Sequence, residues 1–212
     1  MLHSNILLSE ALRPTVMADL IGLPLNTRNA LQRMIDTKSP MNMIFYGKAG
    51  TGKTSTARIL INELDCDVLE LNGSKHAGTT SNITDFCNTT SLLGKNKLVY
   101  IDEADYLHKD IQAMLRYDIE NNSDRVRFIF TANDYSRFMD AITSRCLGIC
   151  FDIPVNDLSN VLEQMIQLYT VKLDNLGYTI EPDKIRKIVC FNFPDFRSIA
   201  NRFQLELSLK AA

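Results

Sequence analysis

The chain has 212 residues, 45% hydrophobic and 23% charged, with a formal net charge of -2, which suits one large domain or a medium one with a small companion. That balance excludes attraction to nucleic acid by the overall field, so any DNA contact has to rest on a local basic surface. Five cysteines with no CxxC pair and three scattered histidines offer neither a disulfide frame nor a zinc site; no apolar run reaches membrane-spanning length and Met1–Ser9 lacks a signal peptide's basic start and cleavage site, so a soluble protein in a reducing, cytoplasmic setting is expected.

In chain order, "MIFYG" from Met43 predicts a strand that breaks into glycines, and "TSTARILINELD" comes next with Ala57, Leu60, Ile61 and Leu64 at helical spacing. "DVLELN" (67–72) predicts a short strand and the stretch from about Thr80 to Leu93 a helix. "KLVYIDEAD" (97–105) predicts a buried strand ending in acids, "HKDIQAMLRYDIEN" (108–121) a helix, and "VRFIFTAND" (126–134) and "GICFDI" (148–153) two more strands. Such alternation argues for an α/β fold, a parallel sheet with helices on both faces. Past Pro154 only helices are expected, over about 157–175, 182–190 and 194–209. The organisation expected is therefore an α/β domain over residues 1–153 and a small helical domain over residues 154–212. No internal repeat or low-complexity run appears.

Gly47, Lys48, Ala49, Gly50, Thr51, Gly52, Lys53 and Thr54 fit the pattern GxxxxGK[ST], with a predicted strand before them and a predicted helix, entered through Ser55, after them. Glycines let successive backbone N–H groups turn around phosphate oxygens, the helix adds its positive end, and Lys53 places a charge on the outer phosphates. The loop is thus read as holding a nucleoside triphosphate, with the Thr54 hydroxyl oxygen directed to Mg²⁺. Hydrolysis needs a metal carboxylate and a group that polarises water. The strand "LVYI" delivers Asp102 at its carboxyl end, where ligands sit in open parallel sheets, as the metal residue, and Glu103 as the residue for the attacking water. Asp105 is ambiguous between this site and a cap on the next helix.

With these two motifs in place, the order of the segments flanking them resembles the AAA+ ATPases and, within them, the clamp-loader ATPase subunits of DNA replication. "EALRPTVMADLIG" (10–22) is similar to the segment that lies over the adenine, which implicates Arg13, Pro14 and Ile21 in nucleotide binding. "ELNGS" (70–74) resembles the second strand, whose Asn, here Asn72, holds the catalytic glutamate off water until DNA binds. "QAMLRYDIE" (112–120) resembles the helix after the acidic motif, "FTAND" (130–134) the sensor 1 strand end, "ITSRC" (142–146) the Ser-Arg-Cys signature, and "NFPDFRSIAN" (192–201) the sensor 2 helix. The resemblance runs from about Glu10 to Asn201. It implies a P-loop AAA+ sheet followed by a helical lid, ATP and Mg²⁺ as ligands, and catalytic roles for Lys53, Glu103, Asn133, Arg145 and Arg197. Asn133 would donate to the γ-phosphate or orient water, Arg197 would draw the lid onto the nucleotide, and Arg145 would act as the arginine finger entering a neighbouring subunit's site.

The implied function is an ATPase subunit of a sliding-clamp loader, working on primer-template DNA through backbone contacts in a homo- or hetero-oligomeric, pentameric ring. The setting would be a nucleoid or viral replication complex, or the nucleus of a eukaryote. Ser74, Lys75, Thr79, Thr80 and Lys109 are the candidates for the DNA backbone. The alternatives are another DNA-linked AAA+ machine, such as a helicase loader or branch-migration motor, or a non-hydrolysing nucleotide-binding scaffold. Three departures from the family stand out. Leu12 replaces an aromatic residue, "KAG" replaces Pro-Pro-Gly in the loop, and 212 residues leave no room for the family's third, collar domain. Either the chain is truncated or minimal, or its assembly depends on other chains.

Overall fold

The computed structural model describes residues 7–75, 79–91 and 95–210, the side chains of Thr79, Thr80 and Lys210 excepted. In chain order these residues form α1 (Leu8–Ala11), α2 (Leu25–Asp36), β1 (Met43–Tyr46), α3 (Lys53–Leu64), β2 (Asp67–Asn72), α4 (Thr79–Asn88), β3 (Lys97–Asp102), α5 (Lys109–Asn121), β4 (Val126–Ala132), α6 (Asp140–Thr143), β5 (Leu147–Cys150), α7 (Leu158–Asn175), α8 (Pro182–Asn192) and α9 (Phe196–Lys210). The five strands make one sheet in the order β2-β3-β4-β1-β5, every pairing parallel. Register sets Ile44 opposite Phe130 and Gly148, and Ile101 opposite Phe130.

Side-chain alternation sorts the strands' apolar residues onto two faces. Met43, Phe45, Leu98, Tyr100 and Ile129 pack with Leu31, Met34 and Ile35 of α2 and with Ala57, Ile59, Leu60 and Leu64 of α3. Ile44, Val99, Ile101, Phe128 and Phe130 pack on the other face with Ile83 of α4, Leu115 and Ile119 of α5 and Ile142 of α6. Both faces being covered, the inner strands β1, β3 and β4 read as near-continuous apolar runs rather than alternating ones.

A third core is helical. Val161, Met165, Tyr169 and Leu173 recur every fourth residue along α7 and pack with Ile185, Ile188 and Val189 of α8 and Ile199, Ala200 and Phe203 of α9. Leu8 and Leu12 join this same core, and the Leu8 N–H donates to Gln204 Oε1 at 2.8 Å. Helix α1 and the residue after it therefore pack against α9. The connection leaving β1 runs toward β2, while that leaving β4 passes back across β1 to β5, so a crevice opens at the carboxyl ends of β1 and β4, where such sheets bind ligands.

Several boundaries differ from the sequence expectation. Helix α2 lies outside the elements expected from the sequence, although Leu31, Met34 and Ile35 form its buried stripe. Helix α4 stops at Asn88 rather than near Leu93, and residues 92–94 lie outside the described set. The stop has a local cause: the Thr89 hydroxyl donates to Phe86 O at 2.9 Å, and the Lys97 ammonium, reaching from β3, caps the Phe86 and Thr89 carbonyls. Strand β3 ends at Asp102, because Glu103 turns into the left-handed region at φ 54° and opens a 3₁₀ turn over Ala104–Tyr106.

Candidate active site at the carboxyl edge of the sheet

Between β1 and α3 the chain makes a tight loop that requires glycine at Gly50 and Gly52, with φ of 76° and 97°. Gly52 is the left-handed residue immediately before α3, so the helix opens at Lys53 with its N-terminus facing the crevice. Lys53 is 7% exposed. Its Nζ donates to the carbonyls of Gly47 and Lys48, each at 2.7 Å. Burial lowers the ammonium's pKa below the ordinary lysine value, and the carboxylates of Asp152, Asp105 and Asp102 work against that shift.

Thr54, one residue on, donates from its hydroxyl to Asp102 Oδ1 at 3.1 Å. The Thr131 hydroxyl, near the end of β4, bonds the same carboxylate oxygen and accepts the Glu103 N–H at 3.2 Å. Two hydroxyls and one carboxylate are hard oxygen donors, a set that suits Mg²⁺, which takes few protein ligands and completes its shell with water and phosphate oxygens. Glu103 is exposed, and the left-handed backbone beneath it is the kind of local strain that persists where the surroundings over-determine it. Tyr100 lies two residues before Asp102 on the same sheet face. Its phenol is buried beside Asp102, Thr54 and Thr131, and burial pushes its pKa upward.

Above the loop, the start of α9 sits directly on the glycines. The Phe196 N–H donates to Gly50 O at 3.0 Å, and Asp195 caps the helix by accepting the N–H groups of Arg197 and Ser198 at 2.9 and 3.0 Å. Loop, strand ends and helical core together enclose a cavity of about 590 Å³, within the usual size range for small-molecule sites. Its walls bring together Ala49 to Ser55, Asp102, Glu103, Asn133 and Arg197, with Arg13, Pro14 and Ile21 on the remaining side. Leu12, Met165, Leu168 and Tyr169 add apolar lining. Gly47 and Lys48, at the start of the loop, do not line the cavity.

Arg145 is elsewhere. Its guanidinium pairs with Glu120 of α5 and donates to Ala141 O at 2.6 Å and Ser144 Oγ at 3.1 Å, and it does not line the cavity. Next to it, burial raises the Cys146 thiol to about 12, and the partly buried side chain packs against the core on that face of the sheet. Asn72 pairs with Asp102 in register, and its Oδ1 is taken by the N–H and hydroxyl of Ser74 at 2.8 and 2.5 Å. Of the DNA candidates, Ser74 is exposed at the end of β2, Lys75 is the next residue, and Lys109 opens α5 with its ammonium on Arg137 O at 2.9 Å. Thr79 and Thr80 open α4, their side chains lying outside the described ones. Asp105 caps no helix. It is buried in the 3₁₀ turn with Oδ1 unpartnered among the described residues, and His108 precedes α5 instead.

Thr131, Tyr100, Asp152 and Asp195 belong to the site without standing among the residues that the sequence motifs select. Tyr100 stands two residues before Asp102 on β3, a spacing that points both side chains to one face, and Thr131 stands two residues before Asn133, which lies just past the end of β4. Asp152 and Asp195 carry no such local signal.

Residues 43–153 match the ATPase family associated with various cellular activities, AAA. The chain is similar to the replication factor C small subunit of Haloarcula marismortui, 32% identical over 85% of this chain and 59% of that protein. It is also similar to replication factor C subunit 4 of Saccharomyces cerevisiae, 31% identical over 92% and 61%, and to a putative replication factor C small subunit of Acanthamoeba polyphaga mimivirus, 31% over 82% and 54%. The chain thus spans less than two thirds of the length of these relatives. Among solved structures, the Thermotoga maritima RuvB Holliday junction branch migration motor superposes with a TM-score of 0.72 at 19% identity, over 92% of this chain and 64% of that one, which is a likeness of fold. No helix among the described residues is long and apolar enough to cross a membrane.

Proposed function

This chain belongs to the ATPase family associated with various cellular activities, and we propose that it is the ATPase portion of a sliding-clamp-loader subunit, using ATP binding to engage a clamp on primer-template DNA and hydrolysis to release it. The observation that carries this reading is that one cavity gathers the phosphate loop, Asp102, Glu103, Asn133 and Arg197 while Arg145 lies outside it. In this reading the loop amides and Lys53 hold the phosphates, and Thr54 and Asp102 hold Mg²⁺, which supplies charge neutralisation of the phosphate oxygens. Glu103 accepts a hydrogen bond from the attacking water, and Asn133 and Arg197 position the terminal phosphate between strand and lid.

Arg145 serves the site of an adjacent subunit. Trans-acting arginines of this type are worth about 10³–10⁵ in rate, so turnover belongs to an assembly and the isolated chain is slow. The likeness to proteins named replication factor C small subunit supports the replication role; the clamp, the pentameric ring and the DNA-backbone contacts are parts of the proposal.

The test is ATP turnover measured alone, with clamp, with primed DNA and with both. Marked stimulation by the pair is expected, and turnover indifferent to both sinks the loader role. Lys53→Ala is expected to lose ATP binding, Glu103→Gln to bind ATP without turnover, and Arg145→Ala to bind normally yet fall silent in the assembly until mixed with Lys53→Ala protein.

A further inference from the structure

The peptide joining Gly47 to Lys48 is gripped on both sides. Its carbonyl oxygen accepts from Lys53 Nζ at 2.7 Å. Its N–H, on Lys48, donates to Asp152 Oδ1 at 2.8 Å. Asp152 stands just past β5, whose pairing with β1 ends at Tyr46 opposite Cys150. One further backbone bond, Phe151 N–H to Tyr46 O at 2.7 Å, extends that ladder. The Asp152 carboxylate then takes the next donor on the β1 side, so a side chain continues the sheet where the backbone of the loop turns away. The approach is close: a Cβ on Gly47 would lie 3.0 Å from Asp152 Oδ1 and 3.1 Å from its backbone nitrogen.

We propose that Asp152 is a positioning residue of the phosphate loop, fixing the orientation of the Gly47–Lys48 peptide so that the amides after it begin from one conformation. A loop with glycine at 47, 50 and 52 loses much backbone freedom when it closes on phosphate. Holding its first peptide in advance removes part of that cost, which is how pre-organisation raises affinity. A proline at position 48 would have no N–H to offer, whereas lysine does, and Asp152 uses it. The carboxylate also faces Lys53, adding to its protonated form, but the hydrogen bond to Lys48 is the contact on which the assignment rests.

The inference builds on the nucleotide reading of the site, and the experiment separates the two. Binding of Mg²⁺·ATP to the full chain is measured by calorimetry for the parent, Asp152→Ala, Asp152→Asn, Lys48→Pro and the Lys48→Pro/Asp152→Ala pair, with melting curves as a fold control. Asp152→Ala is expected to weaken binding by about three- to tenfold, the weight of one solvent-accessible, charge-assisted hydrogen bond. Asp152→Asn keeps an acceptor and is expected to recover most of the loss. In the Lys48→Pro background, where the N–H is gone, Asp152→Ala is expected to change nothing further. ATP binding indifferent to Asp152→Ala overturns the assignment, as does an equal loss in the Lys48→Pro background or an Asn variant no better than Ala. A parent chain that binds no ATP overturns the functional reading and this inference together.

Discussion

Tyr100 is 2% exposed, and its hydroxyl has no hydrogen-bond partner of good geometry among the described residues, although Asp102, Thr54 and Thr131 surround it. An unpaired buried polar group costs roughly 1–3 kcal/mol, so the fold carries a local penalty beneath Thr54 and Asp102. Tyr100→Phe removes that oxygen and keeps the ring in its packing. The expected outcome is a melting temperature higher by about 2–4 °C without added nucleotide, read by calorimetry. A lower one means the hydroxyl is bonded in solution. Lys53 meets the same constraint differently: its ammonium, lowered by burial, is satisfied by two carbonyls of its own loop. In the proposed reading, phosphate has to compete with those bonds for it.

At the scale of elements, the contact that matters is the start of α9 on the phosphate loop. One backbone bond, Phe196 N–H to Gly50 O, and the Asp195 carboxylate packed against Gly50 tie the helical core to the loop. A Cβ at Gly50 would meet Asp195 Oδ1 at 2.0 Å, on a backbone at φ 76° that side chains disfavour. Gly50→Ala is therefore expected to unseat α9 and to cost on the order of 2 kcal/mol. The readouts are a melting temperature lower by roughly 4–8 °C and faster proteolysis in the linker around Pro154. Unchanged protease sensitivity with intact melting refutes the contact. Capping also explains α4, whose length its own periodicity leaves open and whose end the Lys97 ammonium marks.

For the whole molecule, the Arg145 guanidinium is already engaged by Glu120, which also lies 3.8 Å from Arg116. If Arg145 serves a neighbour, that pair has to be given up on assembly. Both side chains are about one third exposed, and pairs of this kind contribute about 0–1 kcal/mol, so the tie is weak enough to break. Under the proposed loader role, Glu120→Gln is expected to raise turnover measured with clamp and primed DNA by up to about fivefold, with ATP affinity unchanged. A fall in turnover would mean that Glu120 positions the finger instead of restraining it.

From sequence alone, the local motifs and the elements carrying them were determined. Gly47 to Thr54, Asp102 with Glu103, and the apolar runs around them are contiguous patterns, and contiguity is what a linear reading detects. The parallel α/β class emerged from the same patterns, because doubly covered strands have to be apolar throughout. Only the tertiary structure decided the strand order, the packing of Leu8 and Leu12 against α9, and the meeting of Asp152 with Lys48 and of Asp195 with Gly50. Those contacts join residues far apart along the chain, and the helical stripe of α2 or a lone aspartate after a strand carries no mark of its partner. Which neighbours share a space is set by how layers pack around a core, and that is a property of the folded whole rather than of any segment.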